Sequence, residues 1–348
     1  MNKRNILSVL IITFVCVAGV FCLQFNIMGG MNFLASLIGA GQKPAVYHIF
    51  FHSLILYPEL AFSKSDNPAE IFKKYMITKT EFENVLQQLY NNNFVLVDVD
   101  SIYGINSDGA VFKKTPVVPD GKKPLIISLD DLSYYEYMKG RGFADKLVLD
   151  QNGNVATQVI IPDGKTIVTR DGDVVPILDD FIKLHPDFSI NGAKGVIALT
   201  GYEGILGYDI NNFYQKVSAE RVVKKLKETG WKFASHSYSH EISFQTGEIS
   251  LEELKSDTQK WKSQIEPLVG NTSIYIGPFG QIFKESDNLR NYLISQGFKA
   301  FFGVGMDTYL HYYPDDIVMD RADIDQYRLS VTPALLKPYF DPQLVVDK

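Results

Sequence analysis

Short apolar runs alternate with helix-like stretches along most of the chain, and this alternation constrains the fold more than any other feature of the sequence. Alternation of this kind is typical of parallel βα units, and runs that are apolar throughout indicate strands buried on both faces. The pattern predicts an α/β fold, a distorted (β/α) barrel of about seven parallel strands. The predicted strands are Val46–Phe51, Phe94–Val99, Leu125–Leu129, Gly195–Leu199, Trp231–Ser235, Ser273–Gly277 and Ala300–Val304.

Local signals predict where some of the intervening helices begin and end. Thr80 with Glu83, and Ser250 with Glu253, have the spacing of a capping box, in which each side chain caps the backbone of the other residue. Gly230 and Gly297 follow helix-like stretches, where a residue in the left-handed conformation commonly ends a helix.

One section, at about residues 146–174, interrupts the barrel rhythm. It contains the tetrapeptides Gln-Asn-Gly-Asn, Pro-Asp-Gly-Lys and Arg-Asp-Gly-Asp between β-prone runs, and such tetrapeptides are typical of hairpin turns. We therefore predict a small β-hairpin insertion over one end of the barrel, where loops shape a substrate cleft.

The N-terminus carries a candidate membrane anchor. Lys3 and Arg4 precede an uncharged stretch, Ile6–Met28, which is long enough to cross a bilayer as one transmembrane helix. Basic residues before such a stretch predict that the N-terminus stays in the cytoplasm. Gly19-Val20-Phe21-Cys22 fits a cleavage site poorly, so we predict an uncleaved signal anchor.

This reading divides the chain into a cytoplasmic end with the anchor at residues 1–28, a Gly-rich juxtamembrane linker at 29–44, and a catalytic domain at 45–348. It predicts a single-pass protein of the cell membrane with an extracytoplasmic domain. Phe21 before Cys22 and Val15 before Cys16 leave lipidation as a lesser alternative.

Cysteine content and charge exclude several classes of function. The chain has 2 cysteines and both lie in the predicted anchor, so the domain has no thiolate metal site, disulfide or cysteine nucleophile. The net charge is -6 and no long basic run is present. The sequence therefore lacks the basic surface that nucleic-acid binding requires.

Two acids and two histidines carry the candidate chemistry. Asp130 and Asp131 follow a predicted strand, and catalytic groups of barrels lie where strands end. A turn or a helix cap is the alternative for this pair. His236 and His240 follow another predicted strand, and a four-residue spacing puts both rings on one face if this segment is helical. One capping and one surface histidine is the alternative here.

Two imidazoles and one carboxylate form a metal site with open positions, which suits a divalent ion and favours Zn²⁺. A second carboxylate that is not a ligand could then accept a proton from water. Metal-assisted hydrolysis of an amide or ester requires that combination.

Three ordered motifs between about Val46 and Arg328 resemble those of the polysaccharide deacetylases, carbohydrate esterase family 4. Ser128-Leu129-Asp130-Asp131 is similar to the family's Thr-Phe-Asp-Asp motif, which implies that Asp130 is the base and Asp131 a metal ligand. His236 and His240 match its His-Ser/Thr-x-x-His motif, which implies that both are ligands. Gly277-Pro278-Phe279-Gly280 resembles a third motif, in which the Phe279 N–H is implied to stabilise the oxyanion and Pro278 to line the substrate site.

The chain departs from the family at two positions. The motif arginine falls on Ile276, and the C-terminal Leu-His motif that supplies a general acid is absent. A subgroup that includes biofilm poly-N-acetylglucosamine deacetylases shows both changes, and it uses a histidine at the end of the first strand. The resemblance implies that role for His52, and it implies that Arg321 faces Asp130. A histidine that only caps the strand is the alternative for His52.

The expected function is metal-dependent hydrolysis of N-acetyl or O-acetyl groups on an external polysaccharide. Tyr202 follows a predicted strand and is a candidate substrate contact at the same face. Two alternatives stay open: a catalytically inactive glycan-binding protein with the same scaffold, and an amidase that acts on a small substrate other than a sugar.

Overall fold

The structure is a computed structural model and describes residues 45–285 and 287–346. Its strands are β1 (Tyr47–Phe51), β2 (Phe94–Leu96), β3 (Tyr103–Ile105), β4 (Val111–Lys113), β5 (Lys123–Asp130), β6 (Ala144–Leu149), β7 (Val155–Ile160), β8 (Thr166–Thr169), β9 (Val196–Leu199), β10 (Lys232–Ser235), β11 (Ile274–Ile276), β12 (Ala300–Val304), β13 (Leu310–Tyr312) and β14 (Ile317–Asp323).

The α-helices of the described residues lie between and after these strands. They are α1 (Pro58–Ala61), α2 (Asn67–Tyr75), α3 (Lys79–Asn91), α4 (Val174–Leu184), α5 (Phe213–Glu228), α6 (Ile242–Thr246), α7 (Leu251–Gln264), α8 (Glu266–Val269), α9 (Asn288–Ser295) and α10 (Gln326–Ser330). None of these described helices has the length and apolar character that a membrane crossing needs. The predicted anchor at Ile6–Met28 and the linker at 29–44 lie outside the described residues.

Within the described part of the chain, seven parallel strands close into a barrel. Strand β1 pairs with β5 on one side and with β14 on the other, and β12, β11, β10 and β9 complete the ring in that order. All seven pairings are parallel, so every carboxyl end opens at the same face. The predicted (β/α) barrel is confirmed.

The prediction is wrong about one of the seven barrel strands. Phe94–Val99 is reduced to β2, which pairs with β5 outside the ring, and the remaining place in the barrel belongs to Ile317–Asp323. That segment reads Ile-Val-Met-Asp-Arg-Ala-Asp. Three of its residues are charged, so a search for apolar runs overlooks it. One of these charged residues, Arg321, contributes to the site described below.

Alternation along the strands separates an outer layer from the barrel interior. Leu125, Ile127 and Leu129 of β5 belong to the large core cluster shared with the helices, whereas Ile126 belongs to a second cluster formed with the other barrel strands. Because side chains of a strand point to opposite faces in turn, the even-numbered residues of β5 face inward. Asp130 therefore lies on the inward face at the carboxyl end.

The insertion is a three-stranded antiparallel sheet formed by β6, β7 and β8. Two of the three predicted turns connect these strands: Gln-Asn-Gly-Asn lies between β6 and β7, and Pro-Asp-Gly-Lys lies between β7 and β8. The third prediction is wrong: Arg-Asp-Gly-Asp leads into α4, and the Asp173 carboxylate caps that helix by accepting from the Val174 N–H at 2.8 Å. The sheet contacts the loop after β9, where the Leu147 N–H donates to the Leu206 carbonyl at 3.1 Å.

The helix boundaries follow the predicted signals with one exception. The Ser250–Glu253 capping box is present at the start of α7. The predicted Thr80–Glu83 box is wrong, because α3 begins two residues earlier with a box between Thr78 and Glu81. Thr78 still pairs with Ile55 in an isolated β-bridge, so the backbone is extended up to that residue and turns helical directly after it.

Candidate active site

Asp130 and Arg321 form a buried ion pair at the carboxyl end of the barrel. The two guanidinium Nη atoms donate to the two carboxylate oxygens at 2.7 and 2.9 Å. Arg321 also donates to Ser128 Oγ at 3.0 Å and to the Gly303 carbonyl at 3.1 Å, and its side chain is 0% exposed. The structure thus brings together the two residues that the resemblance pairs.

The environment of Asp130 keeps its carboxylate ionised. Burial raises the pKa of Asp130, but the opposing effect of Arg321, with smaller effects from His236 and His52, lowers it to well below its usual range. An acid whose charge is stabilised by a guanidinium stays deprotonated at neutral pH. Asp130 can therefore accept a proton there.

Asp131, His236 and His240 meet beside this ion pair. One ligand atom from each lies within 4.8 Å of the others, and Asp131 Oδ2 is 3.9 Å from His236 Nε2 and 3.7 Å from His240 Nε2. Burial raises the pKa of Asp131, whereas His240 and His236 lower it, and the net shift is downward. The carboxylate is ionised and faces both rings through one oxygen.

The tautomer of His236 is set by a backbone contact. Its Nδ1 donates to the Ile276 carbonyl at 2.8 Å, so Nε2 carries the lone pair and points towards the two acids. Burial lowers the pKa of His236 despite the opposing effect of those acids, which favours a neutral ring. A neutral imidazole whose other nitrogen is held by a carbonyl is the usual form of a metal ligand.

The two histidines lie on a loop, so they do not share a helix face, which was the condition attached to their four-residue spacing. Ser237 and His240 have φ values of 59° and 50°, which no α-helix contains. Asp257 of α7 holds the loop, since its carboxylate accepts from the backbone N–H groups of Tyr238 and Ser239 at 2.7 and 2.9 Å. The rings still come within 5.0 Å, measured between centroids.

The donor set fits a divalent cation. Two imidazole nitrogens and one carboxylate oxygen are ligands that Zn²⁺ and similar ions take in open catalytic sites. Among the described residues, Asp131, His236 and His240 form a group of this kind, with one ligand atom of each within 4.8 Å of the others. The residues present therefore match the metal that the sequence predicts.

Tyr135 is a further residue of the site, and the sequence pattern did not indicate it. Its hydroxyl donates to Asp131 Oδ1 at 2.5 Å and lies 2.7 Å from Thr200 Oγ1. Asp131 has a positive φ of 59°, which turns the chain back over the site and brings Tyr135 to its own carboxylate. A tyrosine four residues after the acid was the available signal, but no periodic pattern distinguishes it from its neighbours Tyr134 and Tyr137.

The third motif lies beside His240. Pro278 and Phe279 form a tight turn after β11, in which Phe279 has a φ of 55°, and the Phe279 ring is 4.3 Å from the His240 ring between centroids. The Gly280 and Gln281 N–H groups hold this turn by donating to the Gly277 and Pro278 carbonyls. The Phe279 N–H takes no part in those two hydrogen bonds.

Ile276 occupies the position of the family's motif arginine. Its side chain is fully buried in the barrel interior, and its carbonyl holds His236. The guanidinium beside Asp130 comes instead from Arg321 on β14. A positive charge beside Asp130 is thus present, but it is supplied by β14 and not by Ile276 of β11.

His52 directly follows β1 and is partly buried. Its ring is 5.8 Å from that of Phe50, and its charge would lower the pKa of both Asp130 and Asp131. No hydrogen bond or ion pair links this ring to another of the described residues. A positive charge on His52 would therefore act electrostatically on both acids, and its nitrogens are not engaged in a hydrogen bond or ion pair with the described residues.

Tyr202 lies at the rim of the same face and is 43% exposed. Its ring stacks on Tyr135, with 5.1 Å between centroids and an interplanar angle of 17°. Tyr137 also stacks with Tyr135, at 5.7 Å and 21°. Exposed aromatic rings beside a polar site are suited to packing against sugar rings.

Comparisons with known proteins complete the description of the site. No protein-family model matches the chain, and no curated protein matches it. Among solved structures, the chain is similar to IcaB from Ammonifex degensii, with 11% identity, a TM-score of 0.46 and coverage of 84% of this chain and 97% of that one.

Two further solved structures are similar to the chain. The Streptococcus pyogenes deacetylase PplD in complex with acetate has 11% identity, a TM-score of 0.46 and coverage of 86% of this chain and 100% of that one. The polysaccharide deacetylase Bc1974 from Bacillus cereus has 18% identity, a TM-score of 0.26 and coverage of 46% and 78%. The solved structures to which this chain is similar thus include one described as a deacetylase and one described as a polysaccharide deacetylase.

Proposed function

We propose that this protein is a metal-dependent deacetylase that removes N-acetyl or O-acetyl groups from a polysaccharide and releases acetate. The observation that carries the proposal is the pairing of Asp130 with Arg321 directly beside the group Asp131, His236 and His240. A carboxylate that is held ionised and is next to a metal-ligand set is the arrangement that metal-assisted hydrolysis requires.

Asp131, His236 and His240 are the proposed metal ligands. When bound there, a divalent cation such as Zn²⁺ supplies Lewis acidity towards the acetyl carbonyl and makes water more acidic. The hydrogen bond from His236 to the Ile276 carbonyl keeps the coordinating nitrogen free of a proton. Asp257 holds the loop that carries His240, through the backbone N–H groups of Tyr238 and Ser239.

Asp130 is the proposed general base. Its ionised carboxylate accepts the proton of the attacking water at an Oδ atom, and Arg321 keeps that carboxylate in place through two hydrogen bonds. His236 Nε2 is 4.0 Å from Asp130 Oδ2, so the base lies within reach of the same small volume as the ligands.

The remaining roles belong to Phe279, His52 and the aromatic rim. The Phe279 N–H is the proposed donor to the developing oxyanion, and Pro278 lines the acetyl site next to it. His52 is the proposed acid that protonates the leaving nitrogen or oxygen. Tyr202 offers an exposed ring for a sugar. Water adds to the acetyl carbon, and the bond from that carbon to the nitrogen or oxygen of the sugar breaks. Acetate leaves, and the sugar keeps the amine or hydroxyl group.

The experiment is acetate release from acetylated chito-oligosaccharides by the purified domain, with Asp130→Asn as the test variant and Asp163→Asn in an exposed turn as its control. The proposal predicts release that stops after chelation and returns when Zn²⁺ is added. Asp130→Asn should lower turnover by about a hundredfold or more, while Asp163→Asn should not change it. Absence of release from every N- and O-acetylated glycan in a panel would overturn the proposal.

The same experiment separates the two alternatives. A domain that binds glycans but neither holds metal nor releases acetate would be a catalytically inactive glycan-binding protein. Release from small acetamides in preference to oligosaccharides would indicate an amidase of another substrate class. We further propose that the domain acts outside the cytoplasm, anchored by Ile6–Met28; support for this comes from the apolar stretch and the basic residues before it.

A further inference from the structure

The two oxygens of the Asp131 carboxylate have different partners. Oδ2 faces both imidazoles, at 3.9 Å from His236 Nε2 and 3.7 Å from His240 Nε2. Oδ1 accepts a hydrogen bond from the Tyr135 hydroxyl at 2.5 Å. One oxygen is thus directed at the ligand space, and the other is occupied by the protein.

Three hydroxyl groups behind Asp131 form a chain whose direction follows from proton counting. An ionised carboxylate can only accept, so the single Tyr135 proton is given to Asp131. The Tyr135 oxygen must then accept from Thr200 Oγ1, which is 2.7 Å away. Thr200 donates its only hydroxyl proton to Tyr135, so its oxygen can accept from Ser133 Oγ, which is 3.3 Å away. The chain therefore runs from Ser133 through Thr200 and Tyr135 to Asp131.

The Tyr135 ring has little freedom to leave this position. It is 3% exposed and stacks with Tyr202 and with Tyr137, at interplanar angles of 17° and 21°. Stacking of this kind adds to the free energy of burial and restricts the ring plane. The hydroxyl contacts with Asp131 and Thr200, together with the two stacked rings, restrict the orientation of Tyr135.

We propose that Tyr135 is a positioning residue that makes Asp131 a ligand through one oxygen: it holds Oδ1 and leaves Oδ2 for the cation. The proposal rests on the metal site of the proposed function and deepens it. Partners that orient metal-ligating carboxylates typically contribute about 10- to 100-fold to metal affinity. Tyr135 supplies that contribution from a residue outside the three motifs.

The test compares Tyr135→Phe with Tyr134→Phe, a matched control. Tyr134 is also 3% exposed, and its hydroxyl donates at 2.7 Å to Asp173, which is a buried carboxylate outside the ligand group. Each variant loses one hydroxyl and its hydrogen bond to a carboxylate, and Tyr135→Phe also loses the contact with Thr200. Zn²⁺ affinity is measured by competition with a chelating indicator, melting temperature by calorimetry of the metal-free protein, and coordination by the absorption of bound Co²⁺.

Tyr135→Phe should weaken Zn²⁺ binding by about tenfold or more and alter the Co²⁺ absorption, because Oδ1 is then released to the cation. Tyr134→Phe should lower the melting temperature without either change. Equal affinity and equal Co²⁺ spectra for the two variants would overturn the proposal. If Tyr135→Phe does not fold, Thr200→Val takes its place, since it removes the donor to Tyr135; unchanged affinity in that variant would likewise overturn it.

Failure of the proposed deacetylase activity can be distinguished from failure of the Tyr135 inference. Wild-type protein that binds Zn²⁺ and shows the Tyr135 effect, but releases no acetate from any glycan, supports this inference and contradicts the proposed activity. Wild-type protein that binds no Zn²⁺ contradicts both.

Discussion

Arg321 donates to both carboxylate oxygens of Asp130, at 2.7 and 2.9 Å, from a strand that lies 191 positions further along the chain. Both side chains are buried. A buried carboxylate is tolerated when a guanidinium compensates its charge and directional hydrogen bonds satisfy its oxygens. The ion pair is therefore a condition for an ionised base inside the barrel.

Replacing Arg321 by Lys should change the pH dependence of the reaction. Lysine cannot donate to both oxygens, so the pKa of Asp130, which Arg321 lowers against the effect of burial, should rise. A base acts only when deprotonated, and the acidic limb of the kcat/KM profile should therefore move to higher pH. Arg290→Lys is the control, because Arg290 forms a comparable buried ion pair with Asp316. Arg290→Lys should lower stability and leave the acidic limb at its wild-type pH. An acidic limb at the same pH in both variants would refute the role of Arg321.

Replacing His236 or His240 by Ala should remove most of the bound metal. Each change deletes one of three donors, and a site with two donors holds Zn²⁺ much more weakly. Metal content after dialysis and the rise of the melting temperature on adding Zn²⁺ are the measurements. His311→Ala serves as the control, since His311 is exposed on β13. Normal metal content in either ligand variant would show that the assignment is wrong.

Replacing His52 by Ala should lower turnover by about a hundredfold or more and leave metal content unchanged. The reason is that the leaving group needs a proton, that His52 follows β1 at the carboxyl end of the barrel, and that its charge acts on both acids. A histidine that only caps β1 would instead lower the melting temperature with little effect on turnover. Turnover within a few-fold of the wild type would rule out the acid role.

The segment Ile6–Met28 should retain the protein in the membrane. We expect the intact N-terminus in the membrane fraction after cell lysis, because an uncharged stretch of this length after Lys3 and Arg4 is typical of a signal anchor. N-terminal sequencing and fractionation are the measurements. A soluble product that begins after Met28 would disprove the anchor.

Residues at strand ends were predictable from the sequence, because an apolar run followed by acids or histidines specifies both the element and its end. Asp130, Asp131 and His236 belong to this class. Ile317–Asp323 is not an apolar run, because three of its residues are charged. One of them, Arg321, points into the barrel, where its charge is compensated by Asp130. A strand whose charge is compensated by a distant partner cannot be recognised from its own residues.

Loop conformation was also beyond prediction. His236 and His240 come together through backbone in the left-handed region at Ser237 and His240, held by a carboxylate from α7, and spacing alone suggests a helix. Tyr135 reaches Asp131 for a similar reason, since Asp131 itself has a positive φ. In both cases the site geometry depends on contacts between elements that are distant along the chain.

Closure of the barrel has a consequence for when the protein can first act. Strand β14 is the last strand of the ring along the chain, and it supplies the guanidinium that Asp130 needs. During synthesis, the earlier strands emerge with Asp130 but without its counterion. An intermediate that lacks β14 would bury an uncompensated carboxylate or leave the barrel open to water. Under the proposed function, hydrolytic competence should therefore appear only once β14 has joined the barrel, so that partly folded chains are inactive.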